Sequence, residues 1–122
     1  MDKKIPQQIV VCYFFFGGIA RHENDGFQKV GDSFTGNPWI ISTLWFVRWK
    51  INQASTLNEL ENALNLLNWA KERSIASGML AEQLNPIDGN QISVSPLIWS
   101  HAEYVIALNE LMEKYQSLKI DN

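Results

Sequence analysis

Asn37-Pro-Trp-Ile-Ile-Ser-Thr-Leu-Trp-Phe-Val-Arg-Trp-Lys-Ile51 decides the fold class of this chain. Asn37 is a good N-cap, and Pro38 suits the first position of a helix. At 100° per residue from Trp39, Ile40, Ile41, Leu44, Trp45, Phe46, Val47, Trp49 and Ile51 cover most of the helical circle. A helix apolar on nearly every side must be enclosed by protein. Trp45 and Trp49 fall about 40° apart and read as packing residues.

The next segment has a different character. Thr56 and Glu59 have capping-box spacing. Leu57, Leu60, Ala63, Leu64, Leu67 and Ala70 form one stripe, while Asn58, Glu61, Asn65, Asn68 and Glu72 lie elsewhere. This is an amphipathic helix with a wet face, and Gly78 suits its exit. A third helix is predicted from Ser95 as cap and Pro96 as first residue to about Leu118. Its stripe is Leu97, Tyr104, Val105, Leu108, Leu111, Met112 and Tyr115. Pro86-Ile-Asp-Gly89 is turn chemistry. Residues 20–36 read as a polar loop.

Upstream, Ile9-Val-Val-Cys-Tyr-Phe-Phe-Phe16 ends at Gly17-Gly18 and reads as a buried extended segment or short strand. With Lys3 and Lys4 before it, the run loosely imitates a signal peptide. Asp2 weakens the basic end, and eight apolar residues fall far short of the ~20 that span a bilayer. The expectation is mature sequence with no membrane partner, in the cytoplasm. Cys12, the one cysteine, reads as a small buried hydrophobe. With 122 residues the chain makes one domain or a piece of one, all-α, with 46% hydrophobic residues to build a core. A net charge of −3 gives no reason to expect nucleic acid. No cluster has metal-ligand spacing, and no phosphate loop or nucleophile elbow appears.

Three groups of residues stand out as candidate chemistry. Glu82 sits in Ser77-Gly-Met-Leu-Ala-Glu-Gln-Leu-Asn-Pro86, a connection between two helices bounded by Gly and Pro. Arg21 and Asp25 sit in Gly18-Ile-Ala-Arg-His-Glu-Asn-Asp25, where residue type alone reads as a surface salt bridge. Trp39 and Trp99 are candidate platforms for a pyranose ring. Trp99 lies about 200° from Leu97, off the apolar stripe, whereas His101 lies about 40° from Leu97 and reads as a satisfied core residue.

These segments, with Gly36-Asn-Pro-Trp-Ile-Ile-Ser-Thr-Leu-Trp45 and Ser95-Pro-Leu-Ile-Trp-Ser-His-Ala-Glu-Tyr-Val105, resemble the C-terminal part of the catalytic domain of family 15 glycoside hydrolases: glucoamylase, glucodextranase and the related prokaryotic trehalases. The resemblance covers about residues 17–112 and leaves residues 1–16 poorly matched. It implies part of an (α/α)6 barrel, about three long helices after an N-terminal extended segment and loop, in one partial domain spanning the chain. It implies exo-hydrolysis of α-glucosidic bonds with inversion and no cofactor, on maltooligosaccharides, dextran-type glucans or trehalose. Glu82 would be the general base; Arg21, Asp25, Trp39 and Trp99 would hold the sugar. The chain departs from the pattern at His22, where Tyr is usual, and at Gly26-Phe27, which replaces a Tyr-containing pair. No segment resembles the neighbourhood of the general acid.

The expectation is therefore a partial hydrolase, inactive alone. A non-catalytic helical remnant or interaction module derived from such a barrel is the alternative. Further expectations are self-association through an exposed inner helix 38–52, and Glu82 at the mouth of a depression formed by loop 77–95. Trp99, Arg21 and Asp25 would lie on the same side.

Overall fold

The computed structural model describes residues 17–32 and 35–120. These residues form three helices, α1 (Ile40–Gln53), α2 (Leu57–Glu72) and α3 (Ile98–Ile120), with one short antiparallel hairpin, β1 (Gln83–Leu84) and β2 (Gln91–Ile92), between α2 and α3. The fold is all-α, as the hydrophobic periods predict. The extended segment expected at residues 9–16, with Cys12, lies outside the described residues.

Helix α1 starts two residues later than its Asn37-Pro38 signal predicts. Trp39 is extended, at φ −104° and ψ 138°, and no side chain caps the helix. Its backbone N–H goes instead to Ile19 O at 2.9 Å. That tertiary hydrogen bond holds Trp39 out of helical geometry, so helix begins at Ile40. Helix α2 keeps its predicted start: Thr56 Oγ1 accepts from Glu59 N–H at 3.2 Å. The Glu59 carboxylate reaches back one residue further than a standard box, to Ser55 N–H at 2.6 Å. The helix ends at Glu72, with Arg73 as its C-cap, five residues before the Gly78 that the sequence offers as its exit.

Ile40, Leu44, Val47 and Ile51 of α1 meet Leu60, Ala63, Leu67 and Ala70 of α2, Ala107 and Leu118 of α3, and Leu80 and Leu84 from the loop. Burying each large aliphatic side chain contributes roughly 1.5–3 kcal/mol. The predicted enclosure of α1 holds on most sides, so the expected exposed inner helix is not what the structure shows. Trp45 is the exception at 42% exposure. The open apolar surface belongs to α3.

Helix α3 is rotated relative to its apolar stripe. Val105, Leu108, Met112 and Tyr115 are exposed, while Ser100, Glu103, Ala107 and Leu118 are buried. Polar contacts decide that rotation. Ser100 Oγ donates to Ala81 O at 2.8 Å. Arg48 of α1 donates to both oxygens of Glu110, with its shortest contact at 2.8 Å, and to Glu103 Oε2 at 3.0 Å. A guanidinium on an otherwise apolar helix is costly to bury unless paired. Turning the two glutamates inward pairs it; Val105, Leu108, Met112 and Tyr115 then face out, while Tyr104 and Leu111 of the same stripe still pack on the core.

At the start of the described chain, the Gly17-Gly18 turn seats on the Trp69 ring of α2. Gly18 has φ +90°, and a Cβ there would lie 2.6 Å from Trp69 Cη2 and 2.8 Å from Pro38 Cβ. Gly18→Ala is therefore expected to destabilise the protein by about 1–3 kcal/mol, from backbone strain together with the clash. Gly26→Ala, where a Cβ would meet nothing within 4 Å, serves as control. Urea denaturation of both variants checks this; equal midpoints would remove the role given to the turn.

Candidate active site

The separated segments singled out in the sequence meet along one line of backbone. Trp39 bridges Ile19 on one side and Gln83 on the other, and Gln83 in turn pairs with Ile92. Leu84 N–H donates to Pro38 O at 2.9 Å, Ile40 N–H to Glu82 O at 3.1 Å, and Glu82 N–H to Val94 O at 2.9 Å. Thr43, one turn into α1, locks the first crossing: its Oγ1 accepts from Ile19 N–H at 3.0 Å and donates to Trp39 O at 2.8 Å. The start of α1 thus fixes both the loop of Arg21 and the loop of Glu82.

The Glu82 side chain is half-buried. Gln83 Nε2 and Ser93 Oγ both donate to its Oε1 at 2.9 Å. Both donors are neutral. Among the described residues, Oε2 has no hydrogen-bond partner. Ser93 comes from the far arm of the hairpin. The predicted turn at 86–89 folds that arm back, and the register that sets Gln83 opposite Ile92 sets Ser93 beside Glu82. Counting outward from that turn would have found Ser93, which sequence reading missed.

Arg21 and Asp25 form a bidentate pair, Nε to Oδ2 at 2.7 Å and Nη2 to Oδ1 at 2.9 Å. Asp25 is 2% exposed, against 36% for the Arg21 side chain. Phe27 N–H adds a third donor to the carboxylate at 3.2 Å. The loop packs close because Gly36 carries no side chain: a Cβ there would lie 3.0 Å from Asp25 Cβ. The Arg21 guanidinium rests 3.9 Å from the centre of the Trp39 ring, with the Phe27 ring 5.5 Å away. Hydrogen bonding to Asp25 raises the Arg21 pKa, and the negative charge of Glu82 contributes in the same direction.

Over 103 residues the chain is 33% identical to an uncharacterized glycosyl hydrolase of Methanocaldococcus jannaschii. The match takes in 77% of this chain but 16% of that protein, so the chain spans about a sixth of the relative's length. No protein-family model matches the chain, and no solved structure matches it significantly.

The two tryptophans proposed as platforms are placed differently. Trp39 is 4% exposed and sits beneath Arg21, so no open ring face remains for a sugar. Trp99 is 49% exposed in the first turn of α3, where its ring meets Trp45 edge-on at 5.7 Å. His101 is a satisfied residue as expected, its Nε2 accepting from Leu80 N–H at 3.0 Å. Two depressions lie elsewhere on the described surface. One of about 560 Å³ lies between α1 and α3, lined by Trp45, Arg48, Asn52, Glu110 and Lys114. Another of about 390 Å³ lies between Gly17-Gly18, Phe46 and Trp69. Glu82 lines neither. Among the described residues, no group of three His, Cys, Asp or Glu is placed to hold a metal ion, and no helix is long and apolar enough to cross a membrane.

The Arg21 guanidinium, through its hydrogen bonds, holds the Asp25 carboxyl below the usual carboxylate range; Phe27 N–H and the nearby His22 ring act in the same direction. A folded value below the unfolded one means the pair's contribution is complete above the unfolded value of about 4. It is lost as pH falls through the lower folded value. Asp25→Asn should therefore lower stability at neutral pH and flatten the dependence of stability on pH below about 4. Denaturant midpoints between pH 2 and 6 check this; an unchanged slope would mean the pair does not couple to folding.

Proposed function

We propose that this chain supplies the general-base half of the active site in a larger inverting α-glucoside hydrolase of the glucoamylase type. What carries the reading is the convergence at Trp39. The Glu82 loop and the Arg21–Asp25 loop, distant in sequence, flank one backbone crossing, and Glu82 keeps one carboxylate oxygen unengaged. The similarity to a glycosyl hydrolase supports the reaction class.

In this reading Glu82 Oε2 takes a proton from water as the water oxygen bonds to the anomeric carbon. The glycosidic C–O bond breaks on the opposite face, and its oxygen is protonated by a carboxylic acid. Inversion needs the two carboxyl groups roughly 6.5–9.5 Å apart to admit the water. No residue of these 122 is assigned as that acid, which would come from another part of the larger protein. Arg21 would bind sugar hydroxyls with the donors left over from the bidentate pair, and Asp25, buried beneath it, would hold it in place. Trp39 would serve as the ledge that orients Arg21, and Trp99 would stack on the sugar from α3. The substrate would be a maltooligosaccharide, a dextran-type glucan or trehalose.

The 122-residue chain alone is expected to release no glucose from maltose, isomaltose or trehalose. In the longer protein that carries the acid, Glu82→Gln should lower kcat by ~10²–10⁴-fold. Proton NMR should show the β-anomer as first product. Activity surviving Glu82→Gln would overturn the assignment.

One observation favours the alternative, a non-catalytic helical module: α3 exposes Val105, Met112 and Tyr115 at 54%, 56% and 43%. Such a stripe marks an interface. The association expected of helix 38–52 would then run through α3. Val105→Lys with Met112→Lys should convert an associating chain to monomer in sedimentation velocity. A wild-type monomer would dismiss this route.

A further inference from the structure

Asn37 sits where three contacts settle the polarity of a chain of amides. Val30 N–H donates to Asn37 Oδ1 at 2.9 Å, and Asn37 Nδ2 donates to Gln28 O at 2.8 Å. A backbone N–H can only donate and a carbonyl can only accept, so these two bonds fix which end of the side chain is oxygen. The same Nδ2 donates to Gln83 Oε1 at 2.9 Å. That engages the oxygen of the Gln83 amide and turns its Nε2 toward Glu82 Oε1, at 2.9 Å. Asn37 is 1% exposed and Gln83 0%, so neither amide can exchange these partners for water without leaving its place.

We infer that Asn37 is a positioning residue for Glu82 and acts through Gln83. The backbone of residues 28–30 dictates the orientation of Asn37, Asn37 dictates that of Gln83, and Gln83 holds Oε1 of Glu82. Oε2 is then the oxygen presented to a reacting water. The role in catalysis rests on the reading of Glu82 as base; the relay itself does not. A second consequence is mechanical. The relay begins in the stretch beside Phe27, whose backbone N–H holds Asp25 and whose ring lies against Arg21. A sugar that shifts this loop would thereby be felt at the base.

The test uses the side-chain NH₂ resonances of the ¹⁵N-labelled chain. Asn37→Asp keeps the shape and can still accept from Val30 N–H, but it cannot donate to Gln83. The Gln83 amide should then flip, giving its NH₂ to the new carboxylate. In the wild-type background, Glu82→Ala is expected to shift the Gln83 NH₂ resonances. In the Asn37→Asp background the same Glu82→Ala should shift them no further. Equal shifts in both backgrounds would overturn the relay. Should Asn37→Asp fail to fold, the wild type alone decides. The NH₂ protons of Asn37 and Gln83 should exchange with solvent more slowly than those of exposed Gln28 and Gln116, and equal rates would overturn it. The two ideas fail separately. Activity surviving Glu82→Gln removes the base reading and leaves the relay standing; an indifferent Gln83 amide removes the relay and leaves the base.

Discussion

The backbone of Trp39 is the hinge on which the rest of this structure depends. Its N–H is taken by Ile19 O, and its carbonyl accepts from the Thr43 hydroxyl, which in turn accepts from Ile19 N–H. These bonds close a small buried ring between a loop and the first turn of a helix. Buried backbone polar groups must find partners, and here they find them in segments distant in sequence. On the other side of Trp39 the same strip of backbone receives Leu84 and gives to Glu82. One residue held extended at a helix start therefore seats two loops at once, each with a side chain suited to sugar chemistry.

Charge placement follows a similar economy of contacts. Arg21 is fixed by a nearly buried carboxylate in its plane and an indole against its face. A guanidinium is suited to both contacts because it is flat, always charged and weakly hydrated. Glu82 has no such strong partner; two neutral donors share one of its oxygens. The arrangement contains a fixed cation–anion pair and, close by, a carboxylate with one side open. The two carboxylates sit in unlike surroundings: Asp25 holds Arg21, and Glu82 is the one the proposed reaction would use.

The rotation of α3 shows which forces outrank hydrophobic patterning. Its apolar stripe would bury more surface facing inward. Instead Glu103 and Glu110 face inward and meet Arg48. Arg48 keeps about a third of its side chain exposed, and the two glutamates give it its carboxylate partners across the α1–α3 seam. Small residues on the inward face, Ser100 and Ala107, are fully buried, Ser100 against the Ala81 carbonyl and Ala107 in the core.

The local elements of this chain were legible in residue order. The near-continuous apolar run of α1, the Thr56–Glu59 box of α2 and the turn at 86–89 act over a few residues, and short-range rules read them. The candidates Glu82, Arg21 and Asp25 could be named because the segments that carry them resemble a known hydrolase family; by residue type alone a loop carboxylate or a loop Arg–Asp pair reads as solvated surface. Tertiary structure alone decided the rest. It moved Asn37 from helix cap to amide relay and held Trp39 in an extended crossing. It put Trp39 under Arg21 and Trp99 against Trp45, and brought Ser93 round to Glu82. It also turned part of the apolar stripe of α3 outward, Val105, Leu108, Met112 and Tyr115. In each case the deciding partner lay well outside the local window that periodicity reads; for Asn37, the Trp39 backbone and Ser93 the contact that won was a hydrogen bond between polar groups, and for the Trp39 and Trp99 rings it was a ring contact.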